Sequence, residues 1–487
     1  MSKKSNSMDA VERQHLLGII SEFSSDTDGI DTSEDFKAHF LPLRSHAAVL
    51  MPGKLIIRGG RGAGKTALFR ILKNLESAEA QMLFPKGTVE PLTWIDGFSE
   101  AKIHPDTEVL NHFGEKAEDK ELREFWYGHL IGILSENHPD LEAGSADSFL
   151  SHWKTSAPKV WVSLVAPNLD NLVAWLDRCD DFYSNQEKWL FVAYDNLDKI
   201  GILKSEVRER FAAALTSMWL SLANRYDRIR CKIFIREDLF QASLSSSADA
   251  SKLQNRAISL DWNTQDLFRV LIRRMAVDDD LRGWLTNNDR PIELTEKKPF
   301  GWFPPEAFPE EGTANSQKKF AEKLVGSLMG AGVNKGYTHR WIPNHLQDTH
   351  GDIVPRAMLN LISFAAAEAL KGPLADGQRL LEPQELQKAL EATSKARATE
   401  LAEEYPVVLR LEHLRDHVML DVRKNLTKKL WKPSSKEDGF GRDGGAVFDE
   451  LVRLGVFRVR TDQRVDVADI YRFGYGIKRK GGLARPK

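Results

Sequence analysis

The chain has 487 residues, of which 42% are hydrophobic and 28% are charged, so its composition is that of a globular protein and not of a disordered or fibrous one. This length predicts roughly two to four domains. The formal net charge of −2 excludes a chain that is basic overall, and Cys179 and Cys231 have no neighbouring Cys or His at metal-ligand spacing. We find neither a secretory signal nor a run of about 18 apolar residues, so we expect a cytoplasmic protein with no membrane partner.

The first 50 residues are predicted to form a polar lead-in, that is, a segment that precedes the first folded domain. From Lys54 onward, short apolar runs of β type alternate with helical stretches, which is the pattern of a parallel sheet with crossover helices. Such a pattern predicts an α/β core over residues 51–285. The predicted strands are Lys54–Arg58, Leu92–Asp96, Trp189–Tyr194, Cys231–Ile235 and Ala257–Leu260.

A helical insertion is predicted within this core at about residues 97–187, because that segment is too long for a simple crossover. Residues 286–403 predict a linker rich in Asn, Pro, Gly and Glu, followed by a helical lid. Two arginines on the helix after the fifth strand, Arg273 and Arg274, are either arginine fingers for a neighbouring subunit or a solvated face, and we favour the solvated face.

Residues 404–487 predict a winged-helix domain with a basic tail. The helix Ala446–Leu454 precedes an alternating run that predicts a two-stranded ribbon turning at Thr461–Arg464. The basic residues of the last stretch are Arg472, Lys478, Arg479, Lys480, Arg485 and Lys487. This tail is either a solvated surface or a nucleic-acid contact.

The segment Gly59-Gly60-Arg61-Gly62-Ala63-Gly64-Lys65-Thr66 fits the phosphate-binding pattern in which two glycines separated by four residues precede Lys and Ser or Thr. An apolar strand precedes it and an amphipathic helix follows it. Glycines let the backbone curl so that several N–H groups point at one phosphate, and the helix N-terminus favours the negative charge. We expect Lys65 to bind the β- and γ-phosphates and the Thr66 hydroxyl to bind Mg²⁺.

A second acidic element follows the strand Trp189–Tyr194. Asp195 stands at the end of this apolar strand, where a carboxylate can hold Mg²⁺. Asp198, three residues later, is either the group that polarises the attacking water or an acid on a loop surface.

These motifs resemble the additional-strand group of P-loop ATPases, which includes the AAA+ and the STAND ATPases. In many AAA+ proteins a catalytic Glu directly follows the metal-side Asp, whereas Asn196 stands there in this chain. The spacing of DNLD is more similar to that of STAND proteins. The resemblance implies that Arg236, at the end of the fourth strand, reads the γ-phosphate; a salt bridge to Glu237 or Asp238 is the alternative.

The helix that begins with Pro355 and Arg356 resembles the AAA+ lid helix whose arginine, called sensor 2, reaches the nucleotide. This implies a nucleotide-sensing role for Arg356, and a plain arginine at a helix N-terminus is the alternative. We find no Asn/Thr-Lys-x-Asp element of the kind that guanine-binding relatives carry, so the expected ligands are ATP and Mg²⁺.

Three functions are compatible with this pattern: a regulatory ATPase, a DNA-acting AAA+ ATPase and a small-molecule kinase. A kinase is disfavoured because the C-terminal winged helix is not a substrate pocket. The wording RGGRGAGKTALFR, YDNLDKI and KIFIRED resembles the STAND-like ATPases of bacterial anti-phage systems, and this implies a slow, regulatory ATPase with a protein effector. A homo-oligomer, and DNA bound through the winged helix, stay open.

Overall fold

The computed structural model describes residues 8–23, 33–75, 77–84, 91–99, 105–138, 141, 146–153, 155–201, 205–287, 290–306, 316–374, 376–377, 379–435 and 438–479. The chain forms two compact units, one of Pro42–Leu260 and one of Met1–Leu41 together with Asp261–Lys487. Within the described ranges, no helix has the length and apolar composition of a membrane span.

The α-helices of the described chain are, in order, α1 Ala10–Ser21, α2 Ser33–His39, α3 Arg44–Ala47, α4 Lys65–Lys73, α5 Ser77–Leu83, α6 Thr107–Lys116, α7 Asp119–Asn137, α8 Asp147–Leu150, α9 Pro158–Ser163, α10 Leu169–Asn185, α11 Ser205–Arg225, α12 Glu237–Ser245, α13 Ala250–Asn255, α14 Thr264–Met275, α15 Asp279–Thr286, α16 Ser316–Leu324, α17 Thr338–Leu346, α18 Pro355–Ala369, α19 Pro383–Glu404, α20 Arg423–Leu430, α21 Gly444–Arg453 and α22 Asp469–Arg472.

The strands are β1 Ile56–Gly59, β2 Leu92–Phe98, β3 Trp189–Tyr194, β4 Ile229–Arg236, β5 Ala257–Ser259, β6 Thr295–Lys297, β7 Gly301–Phe303, β8 Val418–Met419, β9 Asp421–Val422, β10 Phe457–Val459, β11 Arg464–Val467 and β12 Lys478–Arg479.

The unit formed by Pro42–Leu260 is built on a parallel sheet with the strand order β2-β3-β4-β1-β5. The predicted α/β fold class with a parallel sheet is thus confirmed. Strand β4 lies between β1 and β3. As a result, the carboxyl ends of β1, β3 and β4 lie side by side at one edge of the sheet.

Helices α6–α10 form the insertion between β2 and β3. Their shared core with the sheet is rich in aromatic rings, including the buried indoles of Trp126 and Trp161. Trp126 donates through Nε1 to the backbone carbonyl of Phe211 on α11, at 2.9 Å. This hydrogen bond ties the insertion to the helix that follows β3, because an indole N–H buried in such a core needs an acceptor.

The observed units divide the chain differently from the predicted domains. Helix α1 of the predicted lead-in packs on α18 of the second unit, burying Leu16, Leu17 and Ile20 in its core. Helices α14 and α15, which we assigned to the ATPase core, also belong to the second unit. The physical reason is that their apolar faces are covered by the helices of that unit and not by the sheet.

The predicted linker contains a short antiparallel hairpin of β6 and β7. Arg273 holds it, because its buried guanidinium donates to the carbonyl oxygens of Phe300 and Trp302 at 2.5 Å each. It also donates to Phe40 and Lys37 carbonyls, and burial lowers its pKa to about 9. Both interpretations of Arg273, the solvated face and the arginine finger, are therefore wrong.

The C-terminal part of the second unit contains a three-stranded sheet within the described residues, in the order β10-β11-β9, with α20 and α21 beside it. The predicted ribbon is present as β10 and β11, which pair antiparallel. The sequence interpretation missed β9 and α20, because their alternating and basic residues give no strong periodicity. Lys480, Arg485 and Lys487 of the predicted basic tail lie outside the described residues.

Candidate functional site

The glycine-rich loop connects the end of β1 to the start of α4. Gly62 and Gly64 have φ angles of 80° and 91°, in the left-handed region that strains any residue with a Cβ atom. Gly64 is the residue before the helix, so the loop ends at the N-terminus of α4. The loop is thereby shaped to surround an anion at a helix N-terminus.

Lys65 lies across this loop. Its ammonium group donates to the carbonyl oxygens of Gly59 and Gly60, at 2.8 and 3.0 Å. A cation held in this way is positioned beside the N–H groups that would contact a phosphate. The loop residues Arg61 and Ala63 lie on the same turn, where the N–H of Ala63 donates to Gly60 at 3.2 Å.

Asp195 follows β3 and is buried next to the P-loop. Burial raises the pKa of its carboxyl to about 6, although the Asn196 N–H, the Thr66 hydroxyl and the charge of Lys65 lie close enough to lower it. Its Oδ2 atom is buried and has no hydrogen-bond partner among the described residues. An orphaned carboxylate oxygen beside a threonine hydroxyl is a donor set of the kind that Mg²⁺ takes, so these two residues fit the metal.

Asn196 turns the chain directly after β3. Its φ of 57° and ψ of 31° are left-handed, a conformation that asparagine adopts more readily than most residues. A single helical turn, Leu197–Lys199, follows. The turn brings Asp198 back toward the sheet edge, where its carboxylate lies 3.7 Å from Nη1 of Arg236.

Arg236 ends β4 directly opposite Gly59 of β1. Its buried guanidinium donates from Nε and Nη2 to the carboxylate of Asp238, at 3.1 and 2.6 Å. The alternative of a salt bridge to Asp238 is therefore present, and the contact with Asp198 exists beside it. Glu237 instead pairs with Arg58, at 2.7 Å. The role of Arg236 toward a γ-phosphate stays a prediction.

Arg356 belongs to the other compact unit. It follows Pro355 in the first turn of α18, and its Nη1 lies 3.5 Å from a carboxylate oxygen of Glu400 on α19. This ion pair offsets the unfavourable position of a cation at a helix N-terminus. The proposed sensing of the nucleotide by Arg356 stays a prediction.

The sequence interpretation missed Arg208, in the first turns of α11. Its charge interacts with those of Arg236, Asp238 and Asp198. A cation ten residues after the DNLD element was the only signal in the sequence, and it is weak because helix surfaces carry many arginines. The structure brings together Lys65, Thr66, Asp195, Asp198, Arg236 and Arg208.

Comparisons with known proteins add little to this geometry. No family model matches the sequence, and a search of the curated proteins finds no match. Among solved structures, the chain is similar to the ORC2 protein of Aeropyrum pernix, determined as ADPNP-ADP complexes, at 12% identity. The alignment covers 93% of this chain and 97% of that chain with a TM-score of 0.30, which is too low to establish a shared fold.

Proposed function

We propose that the chain binds and hydrolyses ATP as a P-loop ATPase of the additional-strand group. The observation that carries this proposal is the meeting of Lys65, Thr66 and Asp195 at the sheet edge, with the Asp195 Oδ2 atom buried and lacking a hydrogen-bond partner among the described residues. A buried carboxylate oxygen without a partner costs free energy unless a ligand compensates it. Such an arrangement is typical of a site that takes a metal ion with its nucleotide.

Each residue of the site has a defined task in this proposal. The loop Gly59–Gly64 surrounds the phosphates with backbone N–H groups, and Lys65 exchanges its two carbonyl acceptors for phosphate oxygens. Thr66 and Asp195 hold Mg²⁺, which neutralises charge on the phosphates when it is bound. Asp198 orients or deprotonates the attacking water.

We propose further that turnover is slow and regulatory, in the manner of STAND ATPases, and that a separate protein acts as effector. The DNLD spacing and Asn196 in place of a catalytic Glu support this choice over a motor. A role in bacterial anti-phage defence rests on the resemblance of the P-loop, DNLD and β4 segments alone.

The decisive experiment is calorimetric titration of the full chain with Mg-ATP, for wild type and for Lys65→Ala. We expect Lys65→Ala to abolish measurable binding, because each charge-assisted contact to phosphate contributes about 1.5–3 kcal/mol. The control is Lys54→Ala, which removes a half-buried lysine whose ammonium group donates to the carbonyl of Asn255 at 2.8 Å. Unchanged affinity and turnover in Lys65→Ala would refute the P-loop assignment.

A second candidate function, a DNA-acting ATPase, is favoured by the surface of α20. The ten residues Arg423–Lys432 contain five cations and no acid, and Lys424, Lys428 and Lys432 are exposed. Trp431 is 45% exposed, with the guanidinium of Arg442 4.9 Å from its ring centroid. Exposed cations beside an exposed aromatic ring are the composition of a surface that binds nucleic acid.

The test of this second function is duplex-DNA binding by the full chain, with ATP, over a range of salt. We expect a DNA-acting protein to lose about 0.9 log unit of affinity per phosphate contact for each log unit of salt. The double variant Lys428→Ala/Lys432→Ala should lower that slope by about 2. The control is Lys371→Ala/Lys388→Ala, which removes two exposed lysines that pair with Glu368. Equal slopes in all three proteins would exclude this surface.

A further inference from the structure

The side chain of Arg208 has a buried nitrogen, Nε, for which no described residue accepts a hydrogen bond. It lies in the first turns of α11, the helix that follows the turn carrying Asp198. The Nε atom of its half-buried side chain is fully buried and makes no hydrogen bond to any residue that the structure describes. An N–H group buried in this way destabilises the folded chain unless a ligand accepts its hydrogen bond.

Among the described residues, the acids nearest to Arg208 already interact with other groups or with solvent. Asp238 accepts two hydrogen bonds from Arg236, and Asp198 lies at ion-pair distance from the same guanidinium. Glu209 is exposed beside Arg208. Burial, and then the repulsion of Arg236, lower the pKa of Arg208, and these three acids only moderate the effect. The charges of two guanidinium groups thus interact, and two of these acids, Asp198 and Asp238, lie at ion-pair distance from Arg236.

An anion between the two arginines would relieve both costs. Arg236 lies opposite Gly59, where the proposed phosphate-binding loop begins. The terminal phosphate of a nucleotide bound in that loop is therefore the anion that we expect near Arg236. A guanidinium group presents its N–H donors in a planar fork that matches the oxygens of a phosphate. We propose that Arg208 is a second sensor of the terminal phosphate, which binds it beside Arg236 and transmits its presence through α11 to the helical insertion.

The transmission path follows from contacts one turn further along α11. The carbonyl of Phe211 accepts the hydrogen bond of Trp126 on α7. On later turns, Ser217 and Ser221 accept hydrogen bonds from Arg123 of α7, at 3.1 and 3.0 Å. A shift of Arg208 on phosphate binding therefore moves a helix that is hydrogen-bonded to the insertion at several positions. The conformation of the insertion then depends on the nucleotide state.

The inference rests on the proposed ATP binding and is tested by comparing two nucleotides. Calorimetry should show that Arg208→Gln binds a non-hydrolysable Mg-ATP analogue about 10- to 100-fold more weakly than wild type, with ADP affinity unchanged within twofold. Arg208→Lys, which keeps the charge but not the fork, should lose less. The control Arg225→Gln removes an arginine at the far end of the same helix, whose partner is Asp177 on the surface, and should change neither affinity.

Unchanged ADP affinity and melting temperature establish that a variant is folded. If Arg208→Gln is not folded, Arg208→Lys takes its place in the comparison of the two nucleotides. Equal losses of affinity for both nucleotides, or no loss for either, would overturn the proposed sensor.

Hydrogen exchange of the α7 amides should show protection by the ATP analogue in wild type and none in Arg208→Gln. Protection in both proteins would overturn the transmission path. If wild type itself binds no ATP, the proposed function fails, and with it the basis of this inference. If Lys65→Ala abolishes binding while Arg208→Gln behaves as wild type, only the inference fails.

Discussion

Substitution of Asp198 by asparagine separates its two possible roles. The side chain of Asp198 is one-third exposed and lies 3.7 Å from Nη1 of Arg236. Arg236 keeps two closer hydrogen bonds to Asp238 when Asp198 loses its charge. Asp198→Asn therefore removes a carboxylate at the site and leaves the arginine held in place, so we expect ATP affinity to stay near that of wild type.

The size of the effect on hydrolysis distinguishes a base from an ion-pair partner. Loss of a partly exposed ion pair costs about 1 kcal/mol or less, which is less than about sixfold in rate. Loss of a positioned general base costs about 10²- to 10⁴-fold. Because the two ranges do not overlap, we expect Asp198→Asn to lower the single-turnover rate by at least about a hundredfold if Asp198 acts on the attacking water.

The assay is phosphate release in a single turnover, with enzyme in excess over ATP, for wild type, Asp198→Asn and Asp238→Asn. Asp238→Asn serves as the matched variant, because it removes the closest partner of Arg236 and leaves the carboxylate of Asp198. Its rate should stay within about tenfold of wild type if only Asp198 is the base. A rate for Asp198→Asn within sixfold of wild type would refute the catalytic role and leave Asp198 as an acid that pairs with Arg236.

Two further predictions concern the scaffold of the unit that carries the site. Burial lowers the pKa of Lys232 to about 7 from its ordinary 10.5, so the unfolded chain holds a proton that the folded chain releases, and stability should rise with pH across that window by about 1.4 kcal/mol per pH unit. The free energy of unfolding, measured in urea, should rise less between pH 7 and pH 9 in Lys232→Met than in wild type. An equal rise in the two proteins would contradict the lowered pKa of Lys232. A methyl group added in Gly132→Ala would overlap the indole of Trp153, and we expect a loss of about 1–3 kcal/mol in the same assay. Gly283→Ala, which has no atom within 4 Å of the new methyl group, is the control, and equal stability of the two alanine variants would contradict the packing argument.

The sheet was predictable because its strands are buried on both faces. Apolar runs such as Trp189–Tyr194 have no competing helical pattern, and the observed β3 has the same bounds. The remaining strands agree with their predictions to within a few residues at either end. The glycine-rich turn between β1 and α4 was predictable for a different reason, since its spacing of glycines is set by backbone geometry and not by packing, and its binding of phosphate stays a prediction.

Features that depend on distant partners could not be predicted. Arg273 occupies a polar position on an amphipathic helix, and its burial is explained by hydrogen bonds to distant backbone carbonyls, such as those of Phe40 and Phe300. Arg208 likewise has an ordinary place in the sequence of a helix, and its significance comes from Arg236, a residue on another element. Tertiary hydrogen bonds override local pattern in both cases, and no local pattern encodes them.

The pairing of Arg236 also bears on the rate of the proposed reaction. In the described structure, the carboxylate of Asp198 lies 3.7 Å from Nη1 of Arg236. A terminal phosphate competes with Asp198 for that guanidinium, since phosphate offers more negative charge and more acceptor oxygens than one carboxylate. Binding of ATP would then release Asp198 at the time when a water molecule needs orientation, whereas in the absence of nucleotide the acid is held by Arg236. This order of events favours a slow, nucleotide-gated ATPase over a motor whose catalytic acid stands ready before ATP arrives.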